Sequence, residues 1–166
     1  WAIAGAAAPN FLESRGGTLV LRPDLGSIPS AVFVCACSGH FDADSHRDVV
    51  AMHGGAVMLY RGRGDGTFTA PTRIATLPPL FGAPLHCVAA DLDGDGDLDV
   101  AYAGLITPLQ FLRNDGSTFT QVLTNIPTQG ISGVLDVDMD GIEEVLRPGF
   151  FLPSRDAAWF GIDPIN

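Results

Sequence analysis

The stretch Asp91-Leu92-Asp93-Gly94-Asp95-Gly96-Asp97-Leu98-Asp99 sets carboxylates at alternate positions of one short loop. With Asp91 as loop position 1, the acids stand at positions 1, 3, 5, 7 and 9, and glycine stands at positions 4 and 6. So much like charge repels itself unless a cation sits among it. Hard oxygen donors in alternation suit Ca²⁺, and glycine at position 6 permits the sharp turn that wraps such an ion. An EF-hand would close its shell with a bidentate Glu at position 12, but that position is Tyr102. The loop must therefore close early, with Asp99 as its last ligand.

The arrangement recurs. Residues 136–144 place Asp136, Asp138, Asp140, Gly141 and Glu144 at positions 1, 3, 5, 6 and 9, and residues 40–48 place His40, Asp42, Asp44, Ser45 and Asp48 there. Position 12 of the loop at 136–144 is Arg147, which again excludes an EF-hand. A short run stands before each loop: Val32-Phe33-Val34-Cys35-Ala36-Cys37, Leu85-His86-Cys87-Val88-Ala89-Ala90, and Ile131-Ser132-Gly133-Val134-Leu135. Runs of this length between turn residues read as strands, and a continuously apolar one suits a strand buried on both faces. Another follows the central loop, Val100-Ala101-Tyr102-Ala103-Gly104. Strand–loop–strand units repeating every 40–50 residues or so have the period of propeller blades.

The segments DLDGDGDLDVAYAG with FLRNDGSTF, and FDADSHRDVVAMHGG with LYRGRGDGTF, resemble the FG-GAP/VCBS repeats of integrin α-subunits and many secreted bacterial proteins. The resemblance covers most of residues 31–146. It implies an all-β chain, a β-propeller segment of about 3–3.5 repeat units of four antiparallel strands, with calcium between the first and second strands of a blade. On that pattern Asp91, Asp93, Asp95 and Asp99 ligate by side chain and Asp97 by its backbone carbonyl. In the loop at 136–144 the side chains are Asp136, Asp138, Asp140 and Glu144, and Ile142 gives the carbonyl. In the loop at 40–48 they are Asp42, Asp44 and Asp48, with the carbonyl of His46. This last loop departs from the pattern. His40 replaces Asp at position 1, and imidazole suits Zn²⁺ or Cu²⁺ better than Ca²⁺. Ser45 replaces glycine at position 6, which is costly if that residue needs positive φ. Two readings stay open there, calcium or a zinc site on His40 and His46.

The loops need strands to hold them. Third strands are predicted over 56–61 and 109–113, hairpin turns at Gly64-Asp65-Gly66 and Asn114-Asp115-Gly116, and fourth strands over 67–75 and 118–123. Pro78-Pro79 and Pro127 mark crossovers. Residues 10–14 and 18–22 read as two outer strands joined at Gly16-Gly17, and Pro23 to Pro29 as a connector. Trp1-Ala2-Ile3-Ala4-Gly5 aligns with Val49-Val50-Ala51-Met52-His53, so the first blade is expected to begin just past its loop. The reading is one propeller domain or fragment, 1–166: a partial blade 1–25, blades 31–77 and 85–123, and a partial blade 130–166 with a further strand at Trp159-Phe160.

The net charge of −10 is mostly local, because the three loops hold most of the 19 acids. No basic stripe suggests nucleic acid, and no run is long enough to span a membrane. The three cysteines cannot all pair internally. Cys35 and Cys37 face the same side of a strand, a poor geometry for a mutual bridge, and all three read as small buried apolar residues. His53 and His86 read as strand histidines. No serine or cysteine sits in a nucleophile elbow, and the paired carboxylates are accounted for as metal ligands, so no enzyme is expected. The expected function is a calcium-binding recognition or adhesion module of an exported protein, secreted or extracellular (periplasm or cell surface included), with a protein or glycan partner. A sugar-binding lectin and a non-catalytic accessory domain of a larger secreted enzyme or toxin are the alternatives. Two full and two partial blades are too few to close a ring, which usually takes 4–8. A homo-oligomer or a complex with another propeller fragment, joined through residues 1–25 and 145–166, is therefore expected.

Overall fold

The computed structural model describes residues 2–4, 10–22, 33–77, 84–104, 108–116, 118–127 and 130–146. Those residues form strands and no helix. The connector at 23–29, the Pro78-Pro79 crossover, Trp1 and the strand expected at Trp159-Phe160 lie outside them, as do residues 147–166.

Near the N-terminus, β1 (Ala2–Ala4), β2 (Asn10–Arg15) and β3 (Thr18–Arg22) form an antiparallel sheet. Its β2–β3 hairpin turns on Gly16 and Gly17, whose φ values of 56° and 82° are the pair a type I′ turn demands. Ala2 stands opposite Leu12, one residue away from the register implied by aligning Trp1–Gly5 with Val49–His53. The chain between β1 and β2 is longer than the Gly54-Gly55 turn it would match.

Two four-stranded antiparallel sheets follow. The first runs in order through β4 (Phe33–Gly39), β5 (Asp48–His53), β6 (Ala56–Tyr60) and β7 (Thr72–Thr76). The second does so through β8 (His86–Ala90), β9 (Asp99–Ala103), β10 (Gln110–Asn114) and β11 (Phe119–Val122). A pair, β12 (Gly133–Leu135) with β13 (Glu144–Leu146), comes last. The acidic loops join β4 to β5, β8 to β9 and β12 to β13, the first and second strands of each sheet.

Side-chain alternation tells each strand which neighbour it packs on. Val50 and Met52 of β5, with Val57 and Leu59 of β6, share a core with Val100, Tyr102 and Leu112 of the next sheet. Ala101 and Ala103 of β9, with Phe111 of β10, point the other way, into a second core with Ile131 and Val145 of the last pair. The second strands therefore have no solvent face between their ends, and they are apolar from Val49 to Met52 and from Val100 to Ala103. At the rim, Gln121 Nε2 donates to Tyr102 Oη at 2.7 Å and to the Thr76 carbonyl at 3.2 Å, tying β11 to β7 of the preceding sheet.

The fourth strand of the first complete sheet is shorter than the predicted 67–75. It begins at Thr72, and Phe68 lies outside the strand, forming an isolated bridge to Gly62. Asp65 accepts both the backbone N–H and the hydroxyl of Thr67, which holds the chain in the turn. Pro71 then has no N–H to give a ladder. His53, read as a strand histidine, bonds its Nε2 to Tyr60 Oη at 3.0 Å. No helix among the described residues is long and apolar enough to cross a membrane.

Candidate metal centres

The loops at 40–48 and 91–99 are hooked into the core at their second and last positions. Phe41 and Leu92, at position 2, are buried. Their backbone N–H groups donate to the position-9 carboxylates, Phe41 to Asp48 Oδ2 at 3.1 Å and Leu92 to Asp99 Oδ2 at 3.0 Å. The other oxygen of each carboxylate receives the start of the turn after the third strand, Gly62 N–H at 2.8 Å on Asp48 and Asn114 N–H at 2.8 Å on Asp99. Glu144 repeats the first contact, accepting Val137 N–H at 2.7 Å. The position-9 acid is thus a structural bolt as well as a candidate ligand, and the sequence reading had assigned it only the second role.

Positions 1 and 6 show why glycine stands where it does. Asp91 accepts Gly96 N–H at 2.9 Å, and Asp136 accepts Gly141 N–H at 3.0 Å. Both glycines sit in the left-handed region, at φ of 94° and 95°. Position 4 is left-handed too. It is Gly94 in one loop, φ 74°, and Met139 in the other, φ 64°. Met139 is almost fully exposed, so packing does not repay its backbone strain. Met139→Gly should stabilise the protein by about 0.5–1 kcal/mol, the αL penalty less the entropy glycine adds to the unfolded chain. Denaturant unfolding with unchanged slope checks this, and a loss of stability would contradict it.

Three carboxylates in each loop can reach one ion. Oxygens of Asp91, Asp93 and Asp99 lie within 4.8 Å of one another, as do those of Asp136, Asp138 and Glu144, and those of Asp42, Asp44 and Asp48. Oxygens on opposite sides of a Ca²⁺ ion are about 5 Å apart, so this spacing fits. Burial pushes the Asp99 carboxyl up to about 6, with the charges of Asp93 and Asp95 adding to the effect and the N–H bonds from Asn114 and Leu92 opposing it. Burial raises Asp93 and Asp48 as well. A divalent cation relieves this accumulation of negative charge. Asp95 and Asp140, also predicted ligands, stand outside the trios; each accepts a backbone N–H, from Asp97 and from Ile142, both at 2.9 Å.

The position-7 side chains turn away from the trios. A Cβ on Gly116 would stand 3.3 Å from Asp97 Oδ2, and one on Gly94 would stand 3.1 Å from Ile142 Cδ1. Only their backbones remain for an ion, in keeping with the carbonyl roles expected of Asp97 and Ile142. Asp93→Ala should therefore weaken calcium binding about tenfold or more, whereas Asp97→Ala should change it little. Equal losses in a calorimetric titration would mean the loop register is wrong.

The loop at 40–48 differs in three ways. Arg61 Nε pairs with Asp42 Oδ2 at 3.1 Å. The corresponding arginine of the next sheet, Arg113, pairs instead with Asp115 in its own turn. His40 Nδ1 donates to the His46 carbonyl at 3.1 Å, so the oxygen expected to ligate already has a partner. The His46 ring packs over Gly64 and lies 3.4 Å from Asp44. Ala43 and Ser45, at positions 4 and 6, adopt no positive φ, so the strain expected at Ser45 does not arise and the wrap of the other loops is absent. Protein cations offset the acids here. Asp42, Asp44 and Asp48 come together; the His46 carbonyl accepts from His40, and the His46 ring lies against Gly64 and beside Asp44.

Residues 40–102, spanning the first two loops and the strands between them, match the family model of the FG-GAP-like repeat. Searches of curated proteins and of solved structures find no match to the chain. Residues 40–102 thus resemble an FG-GAP-like repeat, set among four-stranded antiparallel sheets consistent with a propeller-like segment.

Proposed function

We propose that this chain is a calcium-stabilised propeller module of an exported protein, built to recognise a protein or glycan rather than to catalyse. The carrying observation is the pair of loops at 91–99 and 136–144, each with a carboxylate trio on a backbone wrapped through left-handed residues at positions 4 and 6. Asp91, Asp93 and Asp99 would hold one ion, and Asp136, Asp138 and Glu144 another. Asp95, Asp140 and the carbonyls of Asp97 and Ile142 complete the oxygen supply. Such cages act by fixing loop geometry, and a saturated cage leaves no open position for chemistry. The loop at 40–48, with Arg61 paired to Asp42 and His40 bonded to the His46 carbonyl, keeps its shape without metal. Affinities of sites with this ligand chemistry extend to the millimolar range, which suits calcium levels outside the cell. Pairing with a second copy or another propeller fragment would cover any strand edge left unpaired.

A glycan array and a panel of extracellular-matrix proteins, probed with the whole chain in millimolar Ca²⁺ and again in chelator, test the recognition role. Saturable, calcium-dependent binding to either class is expected. Binding that ignores calcium, or turnover of a ligand, would overturn the reading. A glycan-only result would favour the lectin alternative.

A further inference from the structure

From the sequence the three cysteines read as small buried apolar residues, with Cys35 and Cys37 poorly placed to bridge each other. The fold brings the third to them. In β4, Cys35 pairs across to Met52 and Cys37 to Val50; in β8, Cys87 pairs across to Tyr102. Met52, Val50 and Tyr102 belong to one core, the one between the two four-stranded sheets, and all three cysteines pack on its edge. One close approach shows how β4 and β8 lie together. A Cβ on Gly39 would stand 3.7 Å from the Cβ of Ala89, and the residues two steps earlier on each strand are Cys37 and Cys87. Steps of two keep the same face, so the thiols follow each other across the sheet boundary. Cys35 and Cys37 lie near enough to Cys87 to act on its thiol, and together with burial they push it well above the ordinary value. Cys35 also donates its thiol to Met52 Sδ at 3.6 Å. All three are free and half-buried.

We propose that Cys87 forms an exchangeable disulfide with β4, to Cys37 or, after exchange, to Cys35, stapling one sheet to the next. Cβ atoms about 3.5–4.5 Å apart are what a disulfide requires, and the Gly39–Ala89 approach sets the two strands at that separation. The oxidant is a small-molecule disulfide such as glutathione disulfide. A thiolate of β4 attacks one glutathione sulfur, its S–S bond breaks, and one glutathione thiolate leaves. Cys87, once deprotonated in mildly alkaline solution, then attacks the protein sulfur of the mixed disulfide and expels the second glutathione. Two protein thiols lose two protons and two electrons, and glutathione disulfide is reduced to two thiols. The remaining cysteine of β4 can attack the new bridge, releasing the other, so the staple moves between Cys35 and Cys37 without a further oxidant. The staple closes the chain between the sheets, so the oxidised protein should melt higher than the reduced one.

The test is to incubate the whole folded chain with glutathione disulfide, alkylate the remaining thiols and map the fragments by mass spectrometry. The expected product has one internal bridge, always containing Cys87, and one alkylated thiol, on Cys35 or Cys37. Cys35→Ser and Cys37→Ser should each keep a bridge to Cys87, whereas Cys87→Ser should yield only free thiols or glutathione adducts. If Cys87→Ser does not fold, the wild-type map and the two β4 variants decide alone. Full alkylation of all three thiols, a Cys35–Cys37 bridge, or glutathione left on Cys87 with no bridge would overturn the proposal.

Discussion

Asp99→Ala should destabilise the protein by about 3–5 kcal/mol, enough to unfold much of a domain of ordinary stability. The carboxylate is buried and accepts the N–H groups of Leu92 and Asn114, one on each oxygen. Alanine keeps neither bond, and both buried donors are left without a partner. Asn114 is itself part of the junction, since its Nδ2 reaches the carbonyls of Phe41, in the preceding loop, and of Leu98, both at 3.2 Å. Losing the anchor of Asn114 therefore loosens the contact between consecutive sheets as well as the loop. Asp99→Asn should do less harm, because one amide oxygen can keep one donor while its NH₂ faces the other. Chemical denaturation in chelator, where no metal effect contributes, gives the measurement. A loss below about 1 kcal/mol for Asp99→Ala would show that these bonds are not what holds the loop.

Removing calcium should cost a comparable amount. A site that exists only in the folded state stabilises by RT ln(1 + [L]/Kd), about 2.7 kcal/mol per site at a hundredfold excess over Kd. Two such sites move the melting temperature by many degrees. The effect should depend on pH, with a sign set by Asp99. Its folded carboxyl is raised to about 6, so the metal-free folded protein binds this proton more tightly than the unfolded chain. That contribution to metal-free stability is fully present below the ordinary carboxyl value, 3.8, and is lost as pH rises through about 6. Calcium needs the ionised form, so proton and ion compete. The gain in melting temperature from calcium should be larger at pH about 7.5 than at about 5. A gain independent of pH would remove Asp99 from the site.

The sequence carried the strands and loops because both are written locally. Alternating acids with glycine at position 6 identify the wrapped loops, and the unbroken apolar run Val100–Ala103 announces a strand buried on both faces. The rest depended on distant partners. Arg61 and Arg113 hold equivalent positions, yet one reaches the loop carboxylate and the other its own turn. No local pattern distinguishes them. The second role of Asp48 and Asp99 was hidden for a similar reason: their partners Gly62 and Asn114 lie 14 and 15 residues on, at or just past the far end of the next strand. The left-handed backbone at Met139 was not legible because methionine gives no turn signal. The cysteines look unrelated until β4 and β8 are set side by side.

Calorimetric titration of the chelated protein with calcium tests the account most directly. Two binding events per chain are predicted, lost one at a time in Asp93→Ala and Asp138→Ala and untouched by Asp42→Ala. Magnesium, which demands a tighter octahedral shell, should give little heat in the same range. No saturable heat up to about 10 mM calcium, or equal response to magnesium, would contradict the claim that these loops are calcium cages.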